Sequence, residues 1–214
     1  MIKAIIFDLD GVIVSTDRYH YAAWKRIADR EGIYFDEVIN HRLRGVSRME
    51  SLEILLERAA RSYTEEEKIR LANDKNAIYQ QFLEQLSPND ILDDADQVIE
   101  ELKRRNIKVA IGSSSKNTKR ILEKIGLLEA FDAIADGTDI TRSKPHPDVF
   151  LVAAERLGVC PSACAVVEDA NSGIVAAKQA GMLAIAIGEA RKSANADMRI
   201  NHLSDLLKIK YDTI

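Results

Sequence analysis

The sequence predicts an α/β protein: a Rossmann-like, doubly wound parallel sheet with an all-helical cap domain inserted after the first strand. Short apolar runs rich in β-branched residues, typical of buried strands, alternate with helical patterns over the second half of the chain. Such alternation favours a parallel sheet covered by helices on both faces. Between the first strand and the next, only helical patterns occur. We therefore expect residues 1–14 and 91–214 to form the core and residues 15–90 to form the cap.

Five strands and four helices are expected in the core. The strand-like runs are residues 2–7, 108–111, 132–135, 164–167 and 183–187. The helical patterns are residues 94–105, 117–125, 147–157 and 171–180. Because ligands of such sheets bind beyond the carboxyl ends of the strands, polar residues that directly follow a strand are candidate site residues.

Three helices are expected in the cap, the first over residues 17–31. Ser47 and Thr64 are each followed three residues later by Glu, which is the capping-box signature of a helix start. The second and third helices are therefore expected to begin there and to run to about residues 60 and 86. The junctions with the core, residues 14–16 and 87–91, are candidate hinges.

Composition and charge argue against several classes of protein. The 214 residues are 46% hydrophobic and 30% charged, as in an ordinary globular protein, and the net charge of −4 without a basic run makes nucleic acid an unexpected partner. No apolar run approaches the roughly 18 residues of a membrane span, and the N-terminus lacks a signal-peptide pattern. We expect a cytoplasmic protein. The two cysteines, Cys160 and Cys164, are too few for a disulfide framework or a zinc site.

Two carboxylates follow the first strand. Asp8 and Asp10 are two residues apart, so in strand geometry they project to the same side. Two carboxylates beside an apolar core are costly unless a cation compensates them. Taken alone, Asp10-Gly11 can also be read as a turn and Asp8 as a strand-end cap.

Residues 112–117, Gly-Ser-Ser-Ser-Lys-Asn, follow a strand and open a helix. Hydroxyls and free amides at a helix N-terminus suit a phosphate, although a plain helix cap would use the same residue types. Neither a phosphate-binding glycine loop nor a dinucleotide fingerprint is present in the sequence. Lys144 precedes Pro145 just before a helix, so it is either held at an element boundary or an exposed loop lysine.

Glu168 and Asp169 also follow a strand, where they could merely cap the next helix. With Asp8 and Asp10 nearby, four carboxylates would converge, and two unit charges about 4 Å apart at a surface-like dielectric repel by roughly 4 kcal/mol. Lys144 and one Mg²⁺ would offset most of this charge, because an oxygen-rich site suits Mg²⁺ better than a soft metal.

These four segments, in this order, resemble the haloacid dehalogenase superfamily of phosphotransferases, and the resemblance spans nearly the whole chain. It implies that Asp8 is the nucleophile that becomes an aspartyl phosphate and that Asp10 is the general acid/base. It implies that Ser113 and Lys144 hold the phosphoryl group. The metal ligands that it implies are Asp8, Asp10 (through its backbone carbonyl), Glu168 and Asp169.

The insert is similar to the caps of sugar phosphomutases in this superfamily. Thr16, His20 and Trp24 share one face of the first helix, and residues 43–48 form a glycine-containing turn between two arginines where an anion could sit. The resemblance implies that Arg48, Ser115 and Asn117 grip the phosphate that is not reacting. It also implies that Lys75 and His20 couple cap closure to the placing of Asp10. The expected substrate-binding residues are Thr16, His20, Trp24, Arg44, Gly45, Val46, Ser47, Arg48, Lys75, Ser113, Ser114, Ser115, Asn117 and Lys144.

The resemblance implies an enzyme that interconverts β-glucose 1-phosphate and glucose 6-phosphate. Its expected cofactors are Mg²⁺ and catalytic β-glucose 1,6-bisphosphate, its partner is a small sugar phosphate, and a monomer suffices. The alternatives are a sugar-phosphate phosphatase on the same scaffold and a non-catalytic sugar-phosphate binder. The sequence departs from those mutases at Ser15, where Asp is frequent, at Arg44, where Lys is usual, and at Asp93-Asp94, where Pro-Gly is common. These departures leave the preferred sugar open.

Overall fold

A computed structural model describes residues 1–44 and 46–211. The strands are β1 (Ala4–Phe7), β2 (Lys108–Gly112), β3 (Ala133–Ala135), β4 (Cys164–Glu168), β5 (Leu183–Ala186) and β6 (Met198–Arg199). They form one sheet in the order β3-β2-β1-β4-β5-β6, and every neighbouring pair is parallel. The predicted parallel sheet is confirmed. The order reverses between β1 and β4, which is where a doubly wound sheet opens a crevice for ligands.

The helices are α1 (Asp17–Glu31), α2 (Glu37–His41), α3 (Arg48–Leu56), α4 (Glu65–Leu83), α5 (Ala95–Arg104), α6 (Thr118–Lys124), α7 (Asp148–Leu157) and α8 (Asn171–Gln179). Both predicted capping boxes are present. Ser47 Oγ accepts from Glu50 N while Glu50 accepts from Ser47 N, and Thr64 and Glu67 repeat the pattern. These reciprocal bonds satisfy two otherwise unpaired amides at each helix start.

Two elements were not predicted, because both are too short to show a period. Helix α2 has five residues and begins where the Asp36 carboxylate accepts from Ile39 N at 2.9 Å. Strand β6 has two residues and pairs with β5 as the edge strand of the sheet. Helix α3 ends at Leu56 and α4 at Leu83, in each case three or more residues before the predicted ends.

The insert between β1 and β2 carries α1 to α4 and has an apolar core of its own, around Trp24, Ile27, Leu52 and Leu71. The base of the insert packs differently. Residues of α1 and α4 there belong to the large apolar cluster that covers one face of the sheet; they are Tyr19, Ala23, Tyr79 and Leu83. The helical cap is thus seated on the sheet through α1 and α4.

The chain crosses between sheet and cap at two adjacent points. Val14 forms isolated bridges to Asp10 and Ile91, and Leu92 N donates to Ile13 O at 2.9 Å. Both crossings lie within the predicted hinge segments, while the domain boundaries themselves stay a prediction. Over residues 1–44 and 46–211, no helix combines the length and the apolar character needed to cross a membrane. Cys160 is exposed, Cys164 is buried, and both are free thiols.

Candidate active site

A cavity of about 620 Å³ lies between the carboxyl ends of the strands and the cap. Most of the predicted site residues line it: Asp8, Asp10, His20, Trp24, Arg44, Val46, Ser47, Arg48, Lys75, Ser113, Ser114, Ser115, Asn117, Lys144, Glu168 and Asp169. Two do not appear in that lining. Thr16 is fully buried behind Asp10, and Gly45 lies outside the described residues.

Lys144 is the cation at the floor of the cavity. Its Nζ lies 2.5 Å from Asp8 Oδ1 and 2.6 Å from Glu168 Oε1, with only 1% of the side chain exposed. Burial disfavours the ammonium, but the Asp8 and Glu168 carboxylates outweigh it and raise the pKa of Lys144 above its ordinary value. Lys144 is therefore a charged, fixed residue beside Asp8, and the exposed-loop alternative is excluded.

The carboxylates around Lys144 exceed the charge that it can compensate. One ligand atom from each of Asp8, Glu168 and Asp169 lies within 4.8 Å of the others. Burial, followed by the charges of Glu168, Asp8 and Asp10, raises the pKa of Asp169 to about 9. Burial also raises the pKa of Glu168 to about 7, against the effect of Lys144. Such a crowded oxygen set fits a hard divalent cation, and Mg²⁺ is the ion that it suits.

Two glycines make room for these acids. Gly11 has φ +85°, and a β-carbon there would lie 2.2 Å from Asp169 Oδ2. A β-carbon on Gly173 would lie 1.9 Å from Glu168 Oε1. Only residues without a side chain allow both carboxylates to approach the backbone this closely. The acid cluster therefore requires glycine at these two positions, although neither glycine takes part in the chemistry.

Asp10 turns away from this cluster towards the start of α1. Its Oδ1 accepts from Thr16 N and its Oδ2 from Thr16 Oγ1, both at 2.6 Å, and His20 Nε2 lies 3.7 Å from Oδ2. Burial raises the pKa of Asp10 to about 6, although the two bonds from Thr16 act in the opposite direction. A carboxyl group that changes protonation near neutrality suits general acid/base chemistry.

The cap contributes two cations, Lys75 and Arg48. Lys75 is 3% exposed; its Nζ lies 2.7 Å from His20 Nδ1 and faces the rings of Trp24 and Tyr79. Burial, and then the charge of Arg48, holds the pKa of Lys75 well below its usual value. Burial also lowers the pKa of Arg48. Within the described part of the chain, neither cation has a carboxylate within salt-bridge distance. Two unpaired cations that line one cavity form a site for an anion.

The serine-rich segment after β2 lines the same cavity as these cations. Ser113 Oγ accepts from Ser115 N, and Ser115 Oγ accepts from Asn117 N, both at 3.2 Å. Ser114 Oγ is buried without a hydrogen-bond partner in the described part of the chain. A buried hydroxyl without a partner is costly, so a ligand oxygen in the cavity would satisfy it.

Asn117 links the sheet domain to the cap. Its Nδ2 donates to Asn76 Oδ1 at 3.0 Å, and its Oδ1 accepts from Gln80 Nε2 at 2.9 Å. Both partners lie on α4. Both polar atoms of the Asn117 side chain are therefore already hydrogen-bonded to the cap, and these bonds compete with the expected binding of a phosphate.

Arg44 lines the cavity, but its guanidinium is taken up by Asp17. Arg44 Nη2 donates to Asp17 Oδ2 at 2.6 Å and Nε donates to Oδ1 at 3.3 Å, while Asn40 also donates to Oδ1. Asp17 and Asn40 line the same cavity without having been predicted. This pairing holds Arg44 against the start of α1, and it distinguishes Arg44 from Arg48, which has no salt-bridge partner in the part of the chain that the structure describes.

Tyr79 and Gln80 on α4 were not predicted from the sequence. A signal existed for Tyr79, because it follows Lys75 by four residues and so shares its helix face. Asn76 belongs to the Lys75-Asn76 pair that carries part of the family resemblance, but its bond to Asn117 was not predicted, and for Gln80 the sequence carried no signal, since Asn117 is about 40 residues away in the chain.

Comparisons with known proteins agree with this geometry. The model of the haloacid dehalogenase-like hydrolase family matches residues 2–181. The chain belongs to that family. It is 45% identical over 206 residues to the β-phosphoglucomutase of Bacillus subtilis, covering 95% of this chain and 91% of the relative. It is 31% identical over 183 residues to a phosphorylated carbohydrates phosphatase of Thermotoga maritima, covering 84% and 82%.

The fold has a close counterpart among solved structures. The crystal structure of β-phosphoglucomutase from Clostridium difficile superposes with a TM-score of 0.92 at 38% sequence identity, over 100% of this chain and 98% of that one. The similarity therefore includes the helical cap as well as the sheet.

Proposed function

We infer that this protein is a β-phosphoglucomutase. It interconverts β-glucose 1-phosphate and glucose 6-phosphate through an aspartyl phosphate on Asp8 and a β-glucose 1,6-bisphosphate intermediate. The relatives of that name support the assignment, one by 45% identity over 95% of the chain and one by the fold of the whole chain. The resemblance of the four catalytic segments already pointed to phosphoryl transfer.

One observation supports the mutase assignment: both the sheet domain and the cap contribute cations to the cavity. Lys144 lies beside Asp8 on the sheet side, and the cap residues Lys75 and Arg48 line the cavity without a carboxylate partner among the described residues. A mutase must hold a sugar bisphosphate by both phosphates, whereas a phosphatase needs to hold only the one that it removes. The cap cations supply the second phosphate site.

Each transfer can be written with the residues of this chain. Asp8 Oδ attacks phosphorus of the bisphosphate, the bond from phosphorus to the sugar oxygen breaks, and Asp10 gives that oxygen a proton. In the reverse transfer, Asp10 takes the proton from the other sugar hydroxyl as that oxygen attacks the phosphorus on Asp8. Splitting the reaction in this way replaces one difficult step by two easier ones. Lys144 and Ser113 hold the phosphoryl oxygens, and the cap excludes water.

We propose Mg²⁺ as the resident metal. Asp8, Glu168 and Asp169 would hold it, with the backbone carbonyl of Asp10, and Glu168 also accepts from Lys144 through its Oε1. When bound, such an ion neutralises charge on the transferring phosphoryl oxygens. The small-molecule partner is a sugar phosphate. A cytoplasmic monomer stays a prediction from the sequence.

The competing function is a sugar-phosphate phosphatase, which the Thermotoga maritima relative represents. The test is incubation with β-glucose 1-phosphate, a trace of β-glucose 1,6-bisphosphate and Mg²⁺, with both products followed by ³¹P NMR. We expect glucose 6-phosphate to accumulate with little inorganic phosphate. Inorganic phosphate released in step with substrate loss would refute the mutase assignment. Asp8→Asn, which keeps the shape and removes the nucleophile, is the control that should abolish turnover of either kind.

A further inference from the structure

Tyr79 contacts Thr16 and His20, which lie beside Asp10, and Lys75, which lies beside His20. Its hydroxyl lies 2.8 Å from Thr16 Oγ1, and its ring stacks on His20 with 4.1 Å between centroids. Lys75 Nζ lies 4.5 Å from the centre of the same ring. The side chain is 1% exposed and lines the cavity. None of the roles derived above uses the hydroxyl of Tyr79, and a buried aromatic residue does not need one for packing.

The hydrogen bonds around Thr16 have one consistent direction. An ionised carboxylate only accepts, so Thr16 Oγ1 donates to Asp10 Oδ2 at 2.6 Å. This uses the single hydrogen of the threonine hydroxyl. Tyr79 must then donate to Thr16 Oγ1, which gives a chain from Tyr79 through Thr16 to Asp10. Hydrogen bonds in such a chain polarise and strengthen each other.

This chain of bonds joins cap and sheet. Tyr79 belongs to α4, Asp10 follows β1, and Thr16 lies in the crossing between them. Because Thr16 N also donates to Asp10 Oδ1, both carboxylate oxygens are bonded to Thr16 in this state. Movement of α4 would withdraw the tyrosine hydroxyl and weaken the hold on Oδ2.

We propose that Tyr79 is a positioning residue whose hydroxyl holds Asp10 on Thr16, away from the phosphoryl group on Asp8, until the cap moves. The inference rests on the proposed function, since it concerns the lifetime of the aspartyl phosphate. Hydrolysis requires water to attack phosphorus, the bond to Asp8 to break and return a carboxylate, and the water proton to pass to Asp10. While Asp10 is held on Thr16, it cannot take that proton, and the phosphoenzyme persists until a sugar phosphate arrives.

The test is the lifetime of the phosphoenzyme in Tyr79→Phe, which loses only the hydroxyl. The enzyme is phosphorylated at pH 8 with ³²P-labelled acetyl phosphate and Mg²⁺, and decay is followed after the donor is removed. We expect the variant to lose its label roughly fivefold faster than wild type, the effect of one net hydrogen bond. The KM for β-glucose 1-phosphate should be unchanged. Tyr19→Phe is the matched control, because the Tyr19 hydroxyl accepts from Arg18 and takes no part in the bonds from Tyr79 to Asp10.

A double-variant cycle separates positioning from general loss of structure. Thr16→Val removes the middle of the chain, so Tyr79→Phe should have no further effect on lifetime in that background. Additive effects would overturn the inference. So would a wild-type lifetime in Tyr79→Phe, or a faster decay that appears only with a matching loss of thermal stability. If wild-type protein forms no phosphoenzyme, the proposed function and this inference fail together, whereas a phosphoenzyme insensitive to Tyr79→Phe removes only the inference.

Discussion

Lys75 and His20 lie 2.7 Å apart, Nζ to Nδ1, across the contact between α4 and α1. His20 Nε2 is the ring nitrogen that faces Asp10, 3.7 Å from Oδ2, and a hydrogen on Nε2 leaves Nδ1 to accept from Lys75. Burial, and then the charges of Lys75 and Arg48, keeps the pKa of His20 well below its usual value, so the ring is neutral. The pair thus connects Lys75, which has no carboxylate partner among the described residues, to Asp10, and a bound phosphate would supply the missing negative charge.

Replacing Lys75 by Met should separate stability from activity. A buried cation without a carboxylate partner carries a desolvation cost that an apolar side chain of similar length removes. We expect an unchanged or higher midpoint of thermal unfolding together with a mutase kcat/KM reduced by roughly 10- to 100-fold, the loss of one charged hydrogen bond to an anion. Calorimetry and a coupled glucose 6-phosphate assay measure the two quantities. Lys68→Met is the control, because Lys68 pairs with Glu53 and Glu65 outside the cavity; a clear loss of stability in Lys75→Met would contradict the argument.

Arg48→Ala should affect the two possible reactions unequally. Arg48 lines the cap side of the cavity, so its loss should remove binding of the second phosphate and lower mutase kcat/KM by about 30-fold or more. Hydrolysis of p-nitrophenyl phosphate, which has one phosphate, should change by less than about threefold on the same reasoning. Arg58→Ala, on the exposed end of the cap, is the matched control. Equal losses on both substrates would argue against a second phosphate site.

Gly11→Ala and Gly32→Ala provide a matched pair for the metal site. Both glycines have positive φ, +85° and +68°, so either substitution strains the backbone by roughly 1–3 kcal/mol. Only the β-carbon at Gly11 meets Asp169, while that at Gly32 meets nothing within 4 Å. We therefore expect both variants to lose stability but only Gly11→Ala to need a higher Mg²⁺ concentration for half-maximal activity. Equal Mg²⁺ requirements in the two variants would remove Asp169 from metal binding.

The two thiols should react with iodoacetamide very differently. Burial raises the pKa of Cys164 to about 11, whereas a hydrogen bond with Ser162 lowers the pKa of the exposed Cys160. Alkylation requires the thiolate, so raising the pH from 7 towards 8.5 should increase labelling of Cys160 and leave Cys164 unlabelled in the folded protein. Mass spectrometry of tryptic peptides gives the site, and denatured protein is the positive control. Labelling of Cys164 without unfolding would show that the start of β4 opens to solvent.

The sequence predicted the sheet and its acids well because both depend on local patterns. The carboxyl ends of β1 and β4 placed Asp8, Glu168 and Asp169, so parallel topology alone brings these three together. The expectation that Asp10 projects to the same side as Asp8 was wrong, because the strand ends at Phe7 and the Asp10 carboxylate turns towards Thr16. The cap was harder. Asp17 meets Arg44 after 27 residues and Asn117 meets Asn76 after 41, and such pairings depend on how α1, α4 and α6 pack rather than on any period. Tyr79 illustrates the same limit, since its spacing from Lys75 indicates which helix face carries it, whereas nothing in the sequence indicates its bond to Thr16.

The adjacent crossings at Val14 and Ile91 tie both ends of the insert to one bridged pair of residues. The backbone therefore connects the helical cap to the sheet at a single place, although α1, α4 and Asn117 add side-chain contacts between them. An insert with a different helical arrangement could be grafted there without altering the strand ends that carry Asp8 and Asp169 or the loop that carries Lys144. The cap side of the cavity could then change while the acid cluster beside Lys144 is kept.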